Sequence, residues 1–209
     1  MEDAIIDGVR KAQSNDDVRR RELRRDAADN RDRVLAAAAA AVRREGTGVP
    51  MATIAADAGV GVGTVYRHFP SREALLGTLT HRSFELVLDA VDRAAGTDRP
   101  GIDGVRSFLE QTIAHGPDLV LPLHGGPLLP DQKTVALQVE VRRRLGLLLR
   151  SGQRDGTIRH DVRTGDLVVF GAMLAQQLPH VPDWTATARR LMDIYLAGLA
   201  PATRSPGEE

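Results

Sequence analysis

Residues 50–72 read PMATIAADAGVGVGTVYRHFPSR, two short apolar-periodic segments hinged at Gly59. In the first, Met51, Ile54, Ala55 and Ala58 recur at helical spacing. In the second, Val62, Val65 and Phe69 do so, leaving Thr64, Arg67 and His68 on the other face and Tyr66 to the side. Gly59 follows the last apolar residue of the first segment, where a left-handed C-cap suits glycine. Val60 can then tuck between the helices, and Gly61 is an acceptable N-cap for the second. Two short helices joined by such a turn form a helix-turn-helix, whose second helix can enter a DNA major groove.

The residues of that second helix suit the task. Gly61 and Gly63 leave its N-terminus thinly clothed, so the backbone of Gly61, Val62 and Gly63 can approach a phosphate or base edge, aided by the positive end of the helix dipole. Tyr66 and Arg67 can reach phosphates, while Thr64 and His68 offer contacts to bases.

Ile54-Ala55, Ala58-Gly59-Val60, Gly63-Thr64, Tyr66, His68-Phe69 and Arg72-Glu73-Ala74-Leu75-Leu76 together resemble the TetR family of bacterial transcriptional repressors, over roughly residues 30–80. The variant present here is similar to an actinobacterial-type subgroup. The use of arginine over lysine, with only Lys11 and Lys133, likewise suggests a GC-rich genome. Two positions depart from the broader family. Pro50 replaces a frequent Ser or Thr cap, and Gly61 replaces a frequent Ser. The resemblance therefore shifts phosphate contact toward Thr53, Tyr66 and backbone amides.

The 209 residues suffice for a sizeable core, and the absence of cysteine rules out disulfides and thiolate metal sites. No apolar run approaches the ~18–20 residues that span a bilayer. The polar N-terminus shows no secretory signal, so a cytoplasmic location is expected. Net charge is zero, but it is unevenly spread. Residues 19–72 hold eleven basic and six acidic side chains, whereas residues 1–18 hold two and five and residues 73–209 fifteen and seventeen. The positive excess lies around the helix-turn-helix, where DNA binding needs it.

Outward from the motif, residues 1–28 form an expected flexible extension, whose arginine cluster (Arg19-Arg20-Arg21, Arg24-Arg25) reads either as a DNA-following arm or as a solvated tail. A helix is predicted over Asn30–Glu45, capped by Asn30 or Asp29, with Val34, Leu35, Ala38, Ala41 and Val42 as its apolar stripe. Its last-turn Arg43 and Arg44 suit the helix dipole better than DNA. A DNA-binding domain is thus expected over 29–75, with the helix-turn-helix at 50–69. A ligand-binding and dimerisation domain follows over 76–200, then a disordered tail over 201–209. Ser71 and Glu73 open the next helix; others are predicted near 102–115, 131–153, from Asp166 to Gln177, and from Thr185 to Leu199. No strand pattern competes, so the expected fold is all-α.

In TetR-like proteins the last two helices form a homodimer interface, which assigns Leu167, Phe170, Leu174, Leu191, Ile194 and Tyr195 to that face or to the core beneath it. Pairing also follows from mechanism, since two helix-turn-helix units about one DNA turn (~34 Å) apart read a palindrome. Ligand-lining candidates are Phe84, Leu88, Phe108, His115, Leu119, Leu123, His124 and Met173, each with ordinary core as its alternative. The Gly/Pro-rich segment 116–130 is the candidate mobile wall.

Other chemistry is weakly signalled. The glycines at 59, 61 and 63 follow a helix, not a strand, and so fail as a dinucleotide fingerprint. The six histidines are scattered, no catalytic constellation is visible, and neither a metal nor a cofactor is expected. The reading is a non-enzymatic regulator that binds double-stranded operator DNA as a homodimer and answers to a small-molecule effector. The alternative is a helical adaptor or small-molecule-binding protein without DNA binding.

Overall fold

A computed structural model describes residues 2–96, 101–121, 131–178 and 181–201, with side chains at residue 21 and from residue 25 onward. Every regular element among the described residues is helical. The elements are α1 (Glu2–Glu45), α2 (Met51–Asp57), α3 (Val62–His68), α4 (Arg72–Ala95), α5 (Gly101–His115), a 3₁₀ turn (Gly116–Asp118), α6 (Gln132–Arg154), α7 (Thr164–Ala175) and α8 (Trp184–Leu199). Of the tail expected over 201–209, residues 202–209 lie outside the described residues, as do 122–130 of the candidate wall and the loop residues 97–100.

Several helix starts follow from local chemistry. Ser71 accepts from the Ala74 amide at 3.1 Å, and Asp131 from the Thr134 amide at 2.8 Å. Each satisfies a first-turn donor that the helix itself leaves unpaired. Two expected starts move. Asp166 does not cap α7, which begins at Thr164; its carboxylate reaches back to accept from the Arg163 amide at 2.8 Å. α8 begins one residue before Thr185, capped by Asp183, which takes the left-handed conformation at φ +48°.

α1 differs most from expectation. Helix runs on from Glu2, so neither Asn30 nor Asp29 is a cap; Asn30 instead accepts a hydrogen bond from Arg33. Residues 2–29 contain no proline and only Gly8, and acid–arginine spacings such as Asp16/Arg20 favour helix at i, i+4. At 1.5 Å per residue the 44-residue helix is about 66 Å long.

Two buried clusters organise the rest. The first joins Val34, Leu35, Ala38 and Val42 of α1 to Ile54 of α2, Val65 of α3, Phe69, and Leu75 and Leu79 of α4. The second joins Val87, Ala90 and Val91 of α4 to α5, α6, α7 and α8. Full burial of a side chain such as Ile54 or Leu75 stabilises by about 1.5–3 kcal/mol. α4 belongs to both clusters and ties them as one rod. In the second, Gly101 of α5 meets Gly152 of α6 so closely that a Cβ on Gly101 would lie 2.1 Å from the Gly152 Cα. Asp155 fixes this crossing by accepting from the Gly101 amide at 2.7 Å.

Candidate nucleic-acid interface and bundle cavity

The turn between α2 and α3 is built as its sequence requires. Gly59 has φ +65°, a conformation that would strain any residue with a Cβ. The Val60 amide donates to the Ala55 carbonyl at 3.0 Å, closing the turn, and its side chain packs on the first cluster. Gly61 is the N-cap of α3 and supplies no side-chain cap.

α3 is pinned from beneath and open above. Val65 and Phe69 are buried, and the Arg31 guanidinium lies over the Phe69 ring, 5.5 Å from its centroid. Val62 departs from the expected apolar face: it is exposed, because the first helical residue stands beyond the reach of the core. Gly61, Gly63, Tyr66 and Arg67 are also exposed, and Thr53, Thr64 and His68 half-buried. A Cβ on Gly63 would touch nothing within 4 Å, so the fold itself does not require glycine there. Arg44 is engaged elsewhere, held by Asp57 at 3.0 Å and by Glu45. Those contacts raise its pKa, the Asp57 hydrogen bond most.

The bundle holds a cavity of about 220 Å³, open to solvent at one side, between α4, α5, α6 and α7, with Leu121 contributing to its wall. Phe84 and Phe108 line it as expected. Other candidates go elsewhere. Leu88 packs against the second cluster without reaching the cavity, and His115 is half-buried at the end of α5. Leu119 is buried beside a separate cleft that also touches Arg43. Met173 is 60% exposed because it lies on the outer side of α7, whereas Gly171 and Ala172 face the cavity. Leu123 and His124 lie outside the described residues.

Sequence reading missed Thr112, Gln138, Val141, Arg142, Leu145 and Val168, all of which line the cavity. The run Arg142-Arg143-Arg144 was the one available signal: three successive arginines on a helix cannot all face the same partner.

Of the assigned dimer residues, Leu167 and Leu174 are core, at 0% and 2% exposure, because they point inward from α7. Exposed apolar surface is instead formed by Val169 and Met173 of α7 with Leu191 and Ile194 of α8. Phe170 and Tyr195, both half-buried, stack at 3.7 Å between centroids. Burial pushes the Tyr195 hydroxyl up to about 12.

Residues 34–79 match the family of bacterial regulatory proteins named tetR, and residues 105–201 match the C-terminal domain of SbtR-like transcriptional regulators. The HTH-type transcriptional repressor LfrR of Mycolicibacterium smegmatis is 34% identical over 83 residues, which are 40% of this chain and 44% of that protein. The match therefore spans less than half of that relative. AibR, solved with isovaleryl coenzyme A and operator DNA, shares the fold at TM-score 0.65 and 16% identity over 83% of this chain and 100% of its own. The TetR transcriptional regulator SCO0520 of Streptomyces coelicolor is 30% identical, with TM-score 0.57, over 83% of this chain and 99% of that one. A likeness of that extent, together with the family match over residues 34–79, places this chain in the TetR family of bacterial transcriptional regulators.

Proposed function

We propose that this chain represses transcription by gripping an operator as a homodimer and letting go when a small molecule fills the bundle cavity. One observation carries the coupling. Residues 119–121 alternate between the two clusters: Leu119 and Leu121 are buried in the bundle, and Val120 in the core beneath α3. Leu121 is also cavity wall. Val120 is fastened to α4, its amide donating to the Ser83 hydroxyl at 2.8 Å and its carbonyl accepting from the Thr80 hydroxyl at 3.0 Å. A ligand that displaces Leu121 thus acts on a strap shared with the DNA-facing domain. α4 offers a second route, since Phe84 and Val87 line the cavity while Leu75 and Leu79 support the first cluster.

The division of labour follows α4. Helices α1–α3 with its first turns face DNA; its later turns with α5–α8 bind effector and partner. Thr53, Tyr66 and Arg67 take phosphates, and Thr64 and His68 take base edges, with Gly61, Val62 and Gly63 at close backbone approach. The exposed apolar face of α7 and α8 is the homodimer surface, where Val169, Met173, Leu191 and Ile194 meet their symmetry mates beside Phe170 and Tyr195. Effector binding favours a spacing of the two α3 helices that misfits successive grooves, at a coupling of about 1–3 kcal/mol, or ~5–150-fold in affinity.

The test is selection of bound fragments from the source genome, followed by anisotropy titration of the recovered site. Enrichment of a two-fold symmetric sequence is expected. Recovery of no sequence above background would overturn the reading.

A further inference from the structure

The cavity's lining is chemically lopsided. Phe84, Val87, Phe108, Leu145, Val168 and their neighbours make it apolar. Of its polar groups, the Thr112 hydroxyl already donates to the Phe108 carbonyl at 2.9 Å. That leaves Gln138 and Arg142, one turn apart on α6 and on the same side of it.

Arg142 stands out from the two arginines that follow it. Arg143 and Arg144 both bind Glu140 at 2.7 Å, and Arg144 also binds Asp92 at 2.8 Å. Arg142 makes no ion pair or hydrogen bond among the described residues, and Gln138 makes no hydrogen bond among them. Among the described residues, no aspartate or glutamate lines the cavity. Arg142 is exposed yet belongs to the lining, so its side chain stands at the edge where the cavity meets solvent.

We propose that the cavity takes an amphiphilic carboxylate, its apolar body among the phenylalanines and its anionic head held at the mouth by Arg142 with Gln138 beside it. This rests on the reading of the cavity as the effector site. A planar guanidinium matches a carboxylate with two parallel hydrogen bonds, and Gln138 can add an amide donor. A cationic lipophile of the same shape would meet an unpaired arginine and no counter-charge. The volume of about 220 Å³ holds roughly seven waters at ~30 Å³ each, which suits a ring system or a medium-length chain.

Isothermal titration of the full chain without DNA tests this with three probes of one skeleton: decanoate, decanol and decyltrimethylammonium. Decanoate is expected to bind roughly ten-fold or more tighter than decanol, and the ammonium not at all. Arg142→Gln should erase the advantage of decanoate while leaving decanol unchanged, which also reports that the variant is folded; Arg142→Lys should restore part of it. Equal binding of decanoate and decanol would overturn the proposal, as would preference for the ammonium or an unaltered decanoate affinity in Arg142→Gln. Operator release is read separately by anisotropy. Arg142-dependent binding of decanoate that leaves operator affinity unchanged would uphold the carboxylate site and remove the effector role.

Discussion

The proposed DNA-facing surface and the bundle cavity are built in opposite ways. The first is drawn from residues 53–68, contiguous in the chain, and the side chains proposed to meet DNA rest on a core that is complete without them. Val65 and Phe69 hold α3 in place, while Tyr66 and Arg67 contribute outward surface only. The second is a shortfall inside a core. Its walls come from residues as distant as Phe84 and Ala172, and the same side chains that would meet a ligand also hold helices together. Substitutions on the first surface should separate function from stability; those in the second should disturb both.

Tyr66→Ala is the severest test of that separation. A lost hydrogen bond to a charged phosphate costs about 1.5–3 kcal/mol in each half-site, so a dimer should bind DNA at least ~10²-fold more weakly. The loss should be similar for operator and unrelated sequences, with the melting temperature unmoved. Anisotropy and thermal denaturation together decide it. A fall in melting temperature like that of a core substitution would break the contrast, and a change confined to one base preference would reassign Tyr66 to base readout.

Val168→Trp probes the cavity. Filling it should abolish effector response, up to the ~150-fold ceiling of the coupling, and shift stability by about 1–3 kcal/mol through overpacking, while unliganded operator binding persists. Effector response that survives would place the ligand elsewhere.

Gly63→Ala should move stability and function in opposite directions. A methyl group there meets nothing in the free protein, so the helix gains about 0.5–1 kcal/mol while operator affinity falls because the backbone is held off DNA. Chemical denaturation with a binding titration checks both signs. Gains in both would show that nothing approaches that face closely.

The smallest effect is electrostatic and belongs to the bundle. Hydrogen bonds from Arg143 and then Arg144 hold the Glu140 carboxyl at about 2, below its usual 4.5. Its folded pKa is depressed, so its contribution is fully present above about pH 4.5 and is lost as pH falls toward 2. Glu140 is half-buried and its pairs stay within reach of solvent, so salt should flatten the slope. Comparing the acid limb of stability with that of Glu140→Gln measures it; coincident limbs would show the pair contributes nothing.

The unequal legibility of the two sites has the same origin as their unequal construction. Gly59 could be read as a left-handed turn because one backbone angle and one residue type suffice to define it. Val65 and Phe69 could be read as inward because helical periodicity carries that information locally. Val62, from the same pattern, was misplaced because periodicity does not say where the neighbouring core ends. In the bundle the failure is larger. Leu167, Leu174 and Met173 all lie on one apolar helix, and nothing in α7 itself says which side meets α5 and which meets solvent.

The amino-acid sequence by itself determined the helical character of the chain, the Gly59 turn, the outward placement of Tyr66 and Arg67 and the family, because each depends on chemistry within a few positions of the chain. Only the tertiary structure decided that Val120 bridges two cores and that Arg142 rather than His115 or Met173 borders the cavity. Those outcomes depend on which faces of distant helices meet. Packing settles that jointly for the whole bundle, and no single segment encodes it.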